Sequence, residues 1–397
     1  MTAGAVLRAL RIIAVLAGAV LRLALTRSRA DTIASTMPRL GPTFLKAAQL
    51  LSTRVDLLPA AVCRGLAHVH DDLPPIPVAA VLPRLPRALL DSVDGDIVPA
   101  AAGSIACVYR AKLVDGRVVA IKVRRPGVAV VIARDLVLVT ALARLAERFR
   151  LLGGMPVVAV VAELGAAIRQ QLDFVAEVVA LRALRTNLGA MPDVCVPEVF
   201  GEHCTADVIV MEHLPLPRGR TGGDAARQAT VAALRAVYQM LFLDGFVHCD
   251  LHPGNLYALP DGRAVIVDAG FCRRLTDSAR HAFATFFYRM SRGDGAACAD
   301  VVLATARASA SADPEGFRAR MIRLIDGGTR GAVGEFELVP FAVELFAMQR
   351  EHGFSADPEF VFPVLSLIVL EGTLRQTCPE VDFQLEALPF VLRGLMT

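Results

Sequence analysis

His248-Cys249-Asp250-Leu251-His252-Pro253-Gly254-Asn255, followed by Val265-Ile266-Val267-Asp268-Ala269-Gly270, carries the most informative chemistry in the chain. An aspartate is followed five residues on by an asparagine, and thirteen residues later an apolar run ends in a second aspartate. Asn255 and Asp268 offer hard oxygen atoms suited to a divalent cation such as Mg²⁺. Asp250 sits where a carboxylate can accept a proton or orient a nucleophile. His248 and His252 have the spacing of helical metal ligands, but Pro253-Gly254 forbids a helix there, so they read as loop histidines rather than zinc ligands.

Further toward the N-terminus, Val118-Val119-Ala120-Ile121-Lys122-Val123 places a lysine in a strand that reads as buried. An ammonium there needs an anionic partner. Glu177, in Gln171-Leu172-Asp173-Phe174-Val175-Ala176-Glu177, is the candidate; Glu147 and Glu163 compete from what read as solvated helix faces. One strand earlier, the turn Pro99 to Ser104 brings small residues, Ala101, Ala102, Gly103 and Ser104, whose N–H groups are expected to be open to phosphate. Lysine strand, small-residue turn and the two later loops follow the order of the protein-kinase ATP lobe and its catalytic and metal loops. Val208 to His213 then lies where such a fold has its adenine-contacting hinge, which makes Glu212 a candidate contact. The nucleotide expected on this pattern is ATP, with Mg²⁺.

Periodicity and punctuation divide the chain three ways. Residues 1–90 read as a helical extension closed by the linker Asp71-Asp72-Leu73-Pro74-Pro75-Ile76-Pro77. Residues 91–215 read as a β-rich lobe with inserted helices over 128–150 and 157–188, strands over 105–113 and 117–124 around Asp115-Gly116, and strands near 194–200 and 207–213. Residues 216–397 read as a helical lobe interrupted by a hairpin, 254–259 and 264–268, around Asp261-Gly262. The expected class is α+β: bilobal and protein-kinase-like, with a small β-rich N-lobe, a helical C-lobe and a helical N-terminal extension.

Composition narrows the function. With 397 residues, 54% hydrophobic and 20% charged, the chain is neither disordered nor fibrous. Its net charge of +3 is too small for a dedicated nucleic-acid binder. Only three of the 42 basic residues are lysines (Lys46, Lys112 and Lys122), so a lysine kept against that arginine bias is worth examining. The eight cysteines show no two-residue pairing and read as buried thiols, with no structural disulfide expected. No run approaches the roughly 18 uninterrupted apolar residues of a spanning helix. No small-residue cleavage site precedes Arg22, so secretion is not expected. As a helix, residues 5–30 place Arg8, Arg11, Arg22 and Arg29 within an arc of roughly 60°. That stripe suits either an anionic membrane surface or docking with one solvated face.

Taken together, these motifs resemble the UbiB/AarF family of atypical kinase-like proteins over essentially the whole chain. Phe44-Leu45-Lys46-Ala47-Ala48-Gln49 with Ser52 to Pro59 is similar to the family's K-x-G-Q segment. Ala100 to Val108 is similar to its alanine-rich loop, Gln171 to Glu177 to its E-x-D segment, and His248 to Asn255 with Asp268 to Gly270 to its catalytic and metal loops. The resemblance implies a Lys122–Glu177 phosphate-positioning pair, metal ligands Asn255 and Asp268, and a catalytic-loop carboxylate at Asp250. It assigns Lys46, Gln49 and Asp173 to an extension that folds over the active site and limits peptide access. It also implies ATP binding, slow ATPase or atypical kinase activity, and support of isoprenoid-quinone or other lipid metabolism.

Four departures stand out: Ala48 for glycine, Gln171 for an acidic residue, Cys107 for glutamine and Ala269 for the bulky residue of Asp-Phe-Gly. They weaken charge coupling to Lys46, stiffen the lid segment and remove an apolar plug beside the metal loop. The five residues nearest nucleotide and metal are intact, which points to a nucleotide-binding member with altered regulation. Alternatives are a nucleotide-sensing scaffold without turnover and a phosphotransferase acting on a small molecule or protein. The family's C-terminal hydrophobic anchor has no counterpart in the short run Phe360 to Leu370. The expected setting is cytoplasmic and peripheral to a membrane, with lipid intermediates or a biosynthetic protein complex as partners and no nucleic acid.

Overall fold

A computed structural model describes residues 8, 10–12, 14, 15, 18, 29–58, 60–67, 69, 73–149, 156–217, 222–252, 254–329 and 336–396. The chain forms two compact units, residues 1–179 with 198–213, and residues 180–197 with 214–397. Residues of the helical extension belong to the first unit, and the segment 180–197 belongs to the second.

In the first unit, helices α1 (Arg29–Leu40), α2 (Pro42–Ser52) and α3 (Ala60–Ala67) pack around Leu45, Ala48, Leu66 and Val69. Strands β1 (Val98–Ala102), β2 (Ala106–Lys112), β3 (Val118–Arg124) and β5 (Val208–Glu212) make an antiparallel sheet in the order β1-β2-β3-β5. Strand β4 (Val194–Cys195) belongs to the other unit. Alternation along β3 divides its faces. Val119, Ile121 and Val123 enter a core with Tyr109, Phe200 and Val210, while Ala120 and Lys122 face the other way. Each fully buried aliphatic side chain of that core contributes about 1.5–3 kcal/mol. The Tyr109 hydroxyl donates to Ile76 O at 2.7 Å, which fastens the end of the proline-rich linker to the sheet.

The β2–β3 turn needs glycine. Gly116 has φ 89°, and Asp115 accepts the Arg117 N–H at 3.0 Å. Asp261-Gly262-Arg263 repeats the device in the second unit, with Gly262 at φ 87°.

Three expectations need correction. The segment Pro99 to Ser104 is not all turn, because β1 runs through Ala102, with an irregularity between Pro99 and Ala101 that lets an edge strand tolerate proline. The helix expected over 157–188 is two, α5 (Val157–Gln170) and α6 (Phe174–Asn187), preceded by α4 (Val128–Arg148). Asp173 makes the break, its Oδ1 accepting the Ala176 N–H at 3.0 Å as an N-cap. The strand expected over 194–200 is only the two-residue β4.

Of the expected N-terminal helix, residues 8, 10–12, 14, 15 and 18 are helical; Arg22 and most of the remainder lie outside the described residues. Arg8 bonds Asp135 through Nε at 2.8 Å and Nη2 at 2.6 Å and also reaches Leu40 O, while Arg11 donates to Arg39 O. These two arginines therefore serve the fold rather than a free basic stripe. Asp135 is fully buried on α4 and also accepts the Thr43 hydroxyl at 2.6 Å. Its carboxylate raises the Arg8 guanidinium above the usual arginine value, chiefly through their hydrogen bond. Removing one partner of a buried pair strands the other charge. An Arg8→Ala protein is expected to lose about 3 kcal/mol of stability, read as a lower urea midpoint, and Asp135→Asn in that background should recover part of it.

The second unit carries a parallel β4–β8 pairing and an antiparallel β8–β7 pairing, with β7 Leu256–Ala258 and β8 Ala264–Ile266. A separate ribbon pairs β6 (Phe246–His248) with β9 (Cys272–Arg274). Around them stand α7 (Gly223–Tyr238), α8 (Asp277–Ser291), α9 (Gly295–Thr305), α10 (Pro314–Thr329), α11 (Leu338–Glu351), α12 (Pro358–Thr377) and α13 (Phe383–Met396). Tyr238, Phe242, Phe287 and Phe383 form a chain of ring contacts at 5.2–5.9 Å through the core.

Among the described residues, α12 is the one helix long and apolar enough to cross a membrane. It packs on α7, α11 and β6, with 56% of its apolar window buried. That is how a core helix behaves when its neighbours surround it. The eight cysteines are free thiols.

Candidate functional site

Lys122 is held on the face of β3 opposite the sheet core. Its Nζ donates to Glu177 Oε1 at 2.6 Å and stands 5.3 Å from the centre of the Phe174 ring. The two side chains are 10% and 1% exposed, so the ion pair sits in a poorly solvated setting where charges act strongly on a ligand. Glu177 lies one turn into α6, the helix that Asp173 starts. Asp173 itself is exposed and its described role is that cap.

The competing glutamates have other work. Glu147 accepts the Val158 N–H at 2.9 Å, and Glu163 pairs with Arg54 Nη1 at 2.7 Å. Glu163 is therefore not merely on a solvated face. Arg54 is buried between Glu163 and Asp56, whose hydrogen bonds offset the cost of its burial and leave its pKa raised. This ion triad fastens the segment after α2, and its alternating charges at Arg54 and Asp56 could have been read from the sequence.

The small-residue loop differs from expectation. Ala101 and Ala102 lie in β1 opposite Val108 and Cys107, and the Gly103 N–H donates to Ala106 O at 2.8 Å. The Gly103 amide is thus committed to the hairpin rather than open to phosphate. Arg125 braces the loop by donating to Gly103 O at 2.6 Å and Pro74 O at 2.8 Å. Ser104 is fully buried. At the end of β5, Glu212 donates its N–H to Glu198 O at 2.8 Å and accepts the Glu198 N–H on Oε2 at 3.2 Å. The neighbouring His213 imidazole is pushed below its ordinary pKa by burial and by Arg110.

Lys46 is half-buried on α2 and makes no ion pair among the described residues. Gln49 Oε1 is buried without a hydrogen-bond partner among the described residues. Ala48 is 2% exposed in the packed cluster of α2 and α3.

In the second unit one imidazole organises both loops. His248 is fully buried, bonds Asp268 O through Nε2 and accepts the Asp250 N–H on Nδ1 at 3.1 Å. These roles require the neutral Nε2–H tautomer, and burial holds the imidazole below its ordinary pKa. Asn255 Nδ2 donates to Asp250 O at 2.9 Å, and the Val267 N–H donates to Asn255 O at 3.1 Å. Asp268 Oδ1 accepts the Gly270 N–H at 2.8 Å. The Ser366 hydroxyl of α12 donates to His248 O at 2.9 Å. Asp250 Oδ2 lies 3.9 Å from His252 Nε2.

These donors fit a hard divalent cation. With its amide nitrogen fixed on Asp250 O, Asn255 can present only its oxygen to a metal, and Asp268 supplies a carboxylate. Such a cation would neutralise charge on nucleotide phosphates. The cysteine of the loop plays no such part, since burial raises the Cys249 thiol well above its ordinary pKa.

From the sequence, Ala269 is expected to leave no apolar plug beside the metal loop. The structure puts Phe271, two residues on, in the apolar role: it is 1% exposed and meets Phe362 of α12 edge-on at 4.9 Å. Arg273 covers both rings at 5.3 Å. His248, Ser366 and Phe271 were thus missed as positioning groups; only the apolar residue just past Asp268-Ala269-Gly270 could have flagged one of them.

The model for the ABC1 atypical kinase-like domain matches residues 93–302. An uncharacterized protein of Synechocystis is 30% identical over 294 residues, covering 69% of this chain and 72% of its own. A probable protein kinase UbiB of Pseudomonas aeruginosa is 29% identical over 372 residues, covering 90% of this chain and 70% of its own. The solved structure of Rv3197 from Mycobacterium tuberculosis, in complex with erythromycin, superposes with a TM-score of 0.50 at 20% identity, covering 77% of this chain and 84% of that one. That likeness is one of fold. A kinase-like strand lysine with its helix glutamate, the Asp250–Asn255 and Asp268 loops and the family match over more than half its length place the chain in the ABC1 atypical kinase-like family.

Proposed function

We propose that the protein binds Mg-ATP and acts as an atypical kinase or ATPase. The observation that carries this is the Lys122–Glu177 pair. A lysine and a glutamate are costly to bury, and this pair sits between the apolar run Val118 to Val123 of β3 and the first turn of α6. Lys122 would take charge from the phosphates, Asn255 and Asp268 would hold the cation, and Asp250 would orient or deprotonate the nucleophile. Small side chains at Ala101, Ala102 and Gly103 would allow close approach.

Support of isoprenoid-quinone or other lipid metabolism at a membrane surface, within a biosynthetic complex, belongs to the same proposal. An exposed face of α4 favours it: Val130, Val137, Leu145 and Phe149 stand among Arg134 and Arg148. Apolar residues interleaved with arginines suit an anionic lipid surface.

The test is purified protein with ATP, with and without Mg²⁺, and with and without anionic vesicles. The expected result is a Mg²⁺-dependent rise in Tm together with phosphate release above background. A rise in Tm without turnover would favour the scaffold reading, which the Ala48 and Gln171 departures support. No response of either kind overturns nucleotide binding. Radiolabel transferred to an added small molecule or protein would identify a phosphotransferase.

A further inference from the structure

We propose that the second unit holds a separate ligand pocket for a neutral amphiphile, a hydrocarbon body carrying one hydroxyl or carbonyl oxygen. The pocket lies among α8, α9, α11 and α12 and holds a cavity of about 80 Å³, which suits a small, slender hydrocarbon body. Phe283, Phe286, Phe341, Phe346 and Phe360 give its wall an aromatic lining.

Its polar residues define what it takes. Thr305 is satisfied, its hydroxyl donating to Val301 O and Val302 O. Asp357 caps α12 through the Glu359 N–H and pairs with Arg307. Gln349 is different: it is 4% exposed, lines the pocket, and its side-chain amide makes no hydrogen bond among the described residues. Nothing among the described residues satisfies that amide, which leaves it open to a polar atom entering the pocket. Water is a poor occupant, because an ordered buried water needs about two to four polar partners. An oxygen on an otherwise apolar molecule answers both features of the wall. Among the described residues no lysine or arginine lines the pocket, so a carboxylate or phosphate would enter without a counter-charge from them.

The site is distinct from the loops described above, since Asp250, Asn255 and Asp268 do not line it. The two share only α12, on different faces. Phe360, Val364 and Leu367 meet the pocket, while Phe362 and Ser366 meet Phe271 and His248.

The experiment is a fluorescence titration of the full chain with N-phenyl-1-naphthylamine, followed by displacement with 4-phenylbutan-1-ol, n-butylbenzene and 4-phenylbutanoate. Wild type should bind the probe and release it to the alcohol at about a tenth of the concentration needed for the other two. Gln349→Leu should keep the probe and lose the alcohol's advantage over the hydrocarbon. Ala282→Phe, at a half-buried position on the wall, should lower probe affinity at least tenfold with an unchanged Tm. A crystal soaked in a brominated 4-phenylbutan-1-ol should place its anomalous peak between α8 and α11, which keeps the test decisive if a variant fails to fold. Equal displacement by the carboxylate, probe binding unaffected by Ala282→Phe, or a peak elsewhere overturns the proposal.

Discussion

Asp268→Asn is expected to lower Mg²⁺-dependent ATP turnover by at least about 100-fold while leaving the melting temperature within a degree or two. The reasoning separates charge from architecture. His248 reaches the backbone carbonyl of residue 268, not its side chain, and an asparagine oxygen can still accept the Gly270 N–H. The loop therefore keeps its bonds and loses only the negative charge that would hold a cation. Steady-state phosphate release over a Mg²⁺ series measures it, and rising Mg²⁺ should recover part of the lost rate. Turnover equal to wild type would remove Asp268 from the metal site.

Lys122→Met is expected to abolish ATP-induced stabilisation and also to cost about 3–5 kcal/mol in the absence of ligand, because Glu177 then keeps a buried charge without its main partner. Adding Glu177→Leu should restore most of the stability and none of the nucleotide response. Denaturant melts of the two single variants and the double variant separate these effects. The cycle distinguishes a pair kept for function from one kept for the fold: a functional pair yields a double variant that is stable and inert. A double variant as unstable as Lys122→Met would show that the pair mainly supports packing.

Most of this architecture was legible because its chemistry is local. Val118 to Val123 reads as a strand from alternation, and Asp-Gly turns mark both hairpins. Glu177 was found as Lys122's partner because a buried ammonium must have one. Other features depend on distances that spacing does not encode. Asp135 lies 127 residues from Arg8 along the chain, so the N-terminal arginines looked equally suited to lipid. The break at Asp173 was hidden because apolar periodicity runs through it, although an aspartate ahead of a helical run is itself a start mark. The Gly103 amide looked open because small residues signal flexibility without revealing which carbonyl will take the N–H. His248 reads as an ordinary loop histidine because both partners of its ring nitrogens are backbone groups.

Glu371 gives α12 a second significance. It is 1% exposed, and its two oxygens accept the N–H groups of Leu338 at 2.6 Å and Val339 at 3.0 Å, capping α11 from a neighbouring helix. The same carboxylate interrupts a helix that otherwise passes for a bilayer segment. Both α7 and α11, the helices that pack against α12, precede it in the chain, so its partners are already made when it emerges. A charge near the end of the run raises the cost of entering lipid, and the same charge caps α11 in the folded protein. One side chain thus opposes the bilayer as a solvent for α12 and secures the helix beside it.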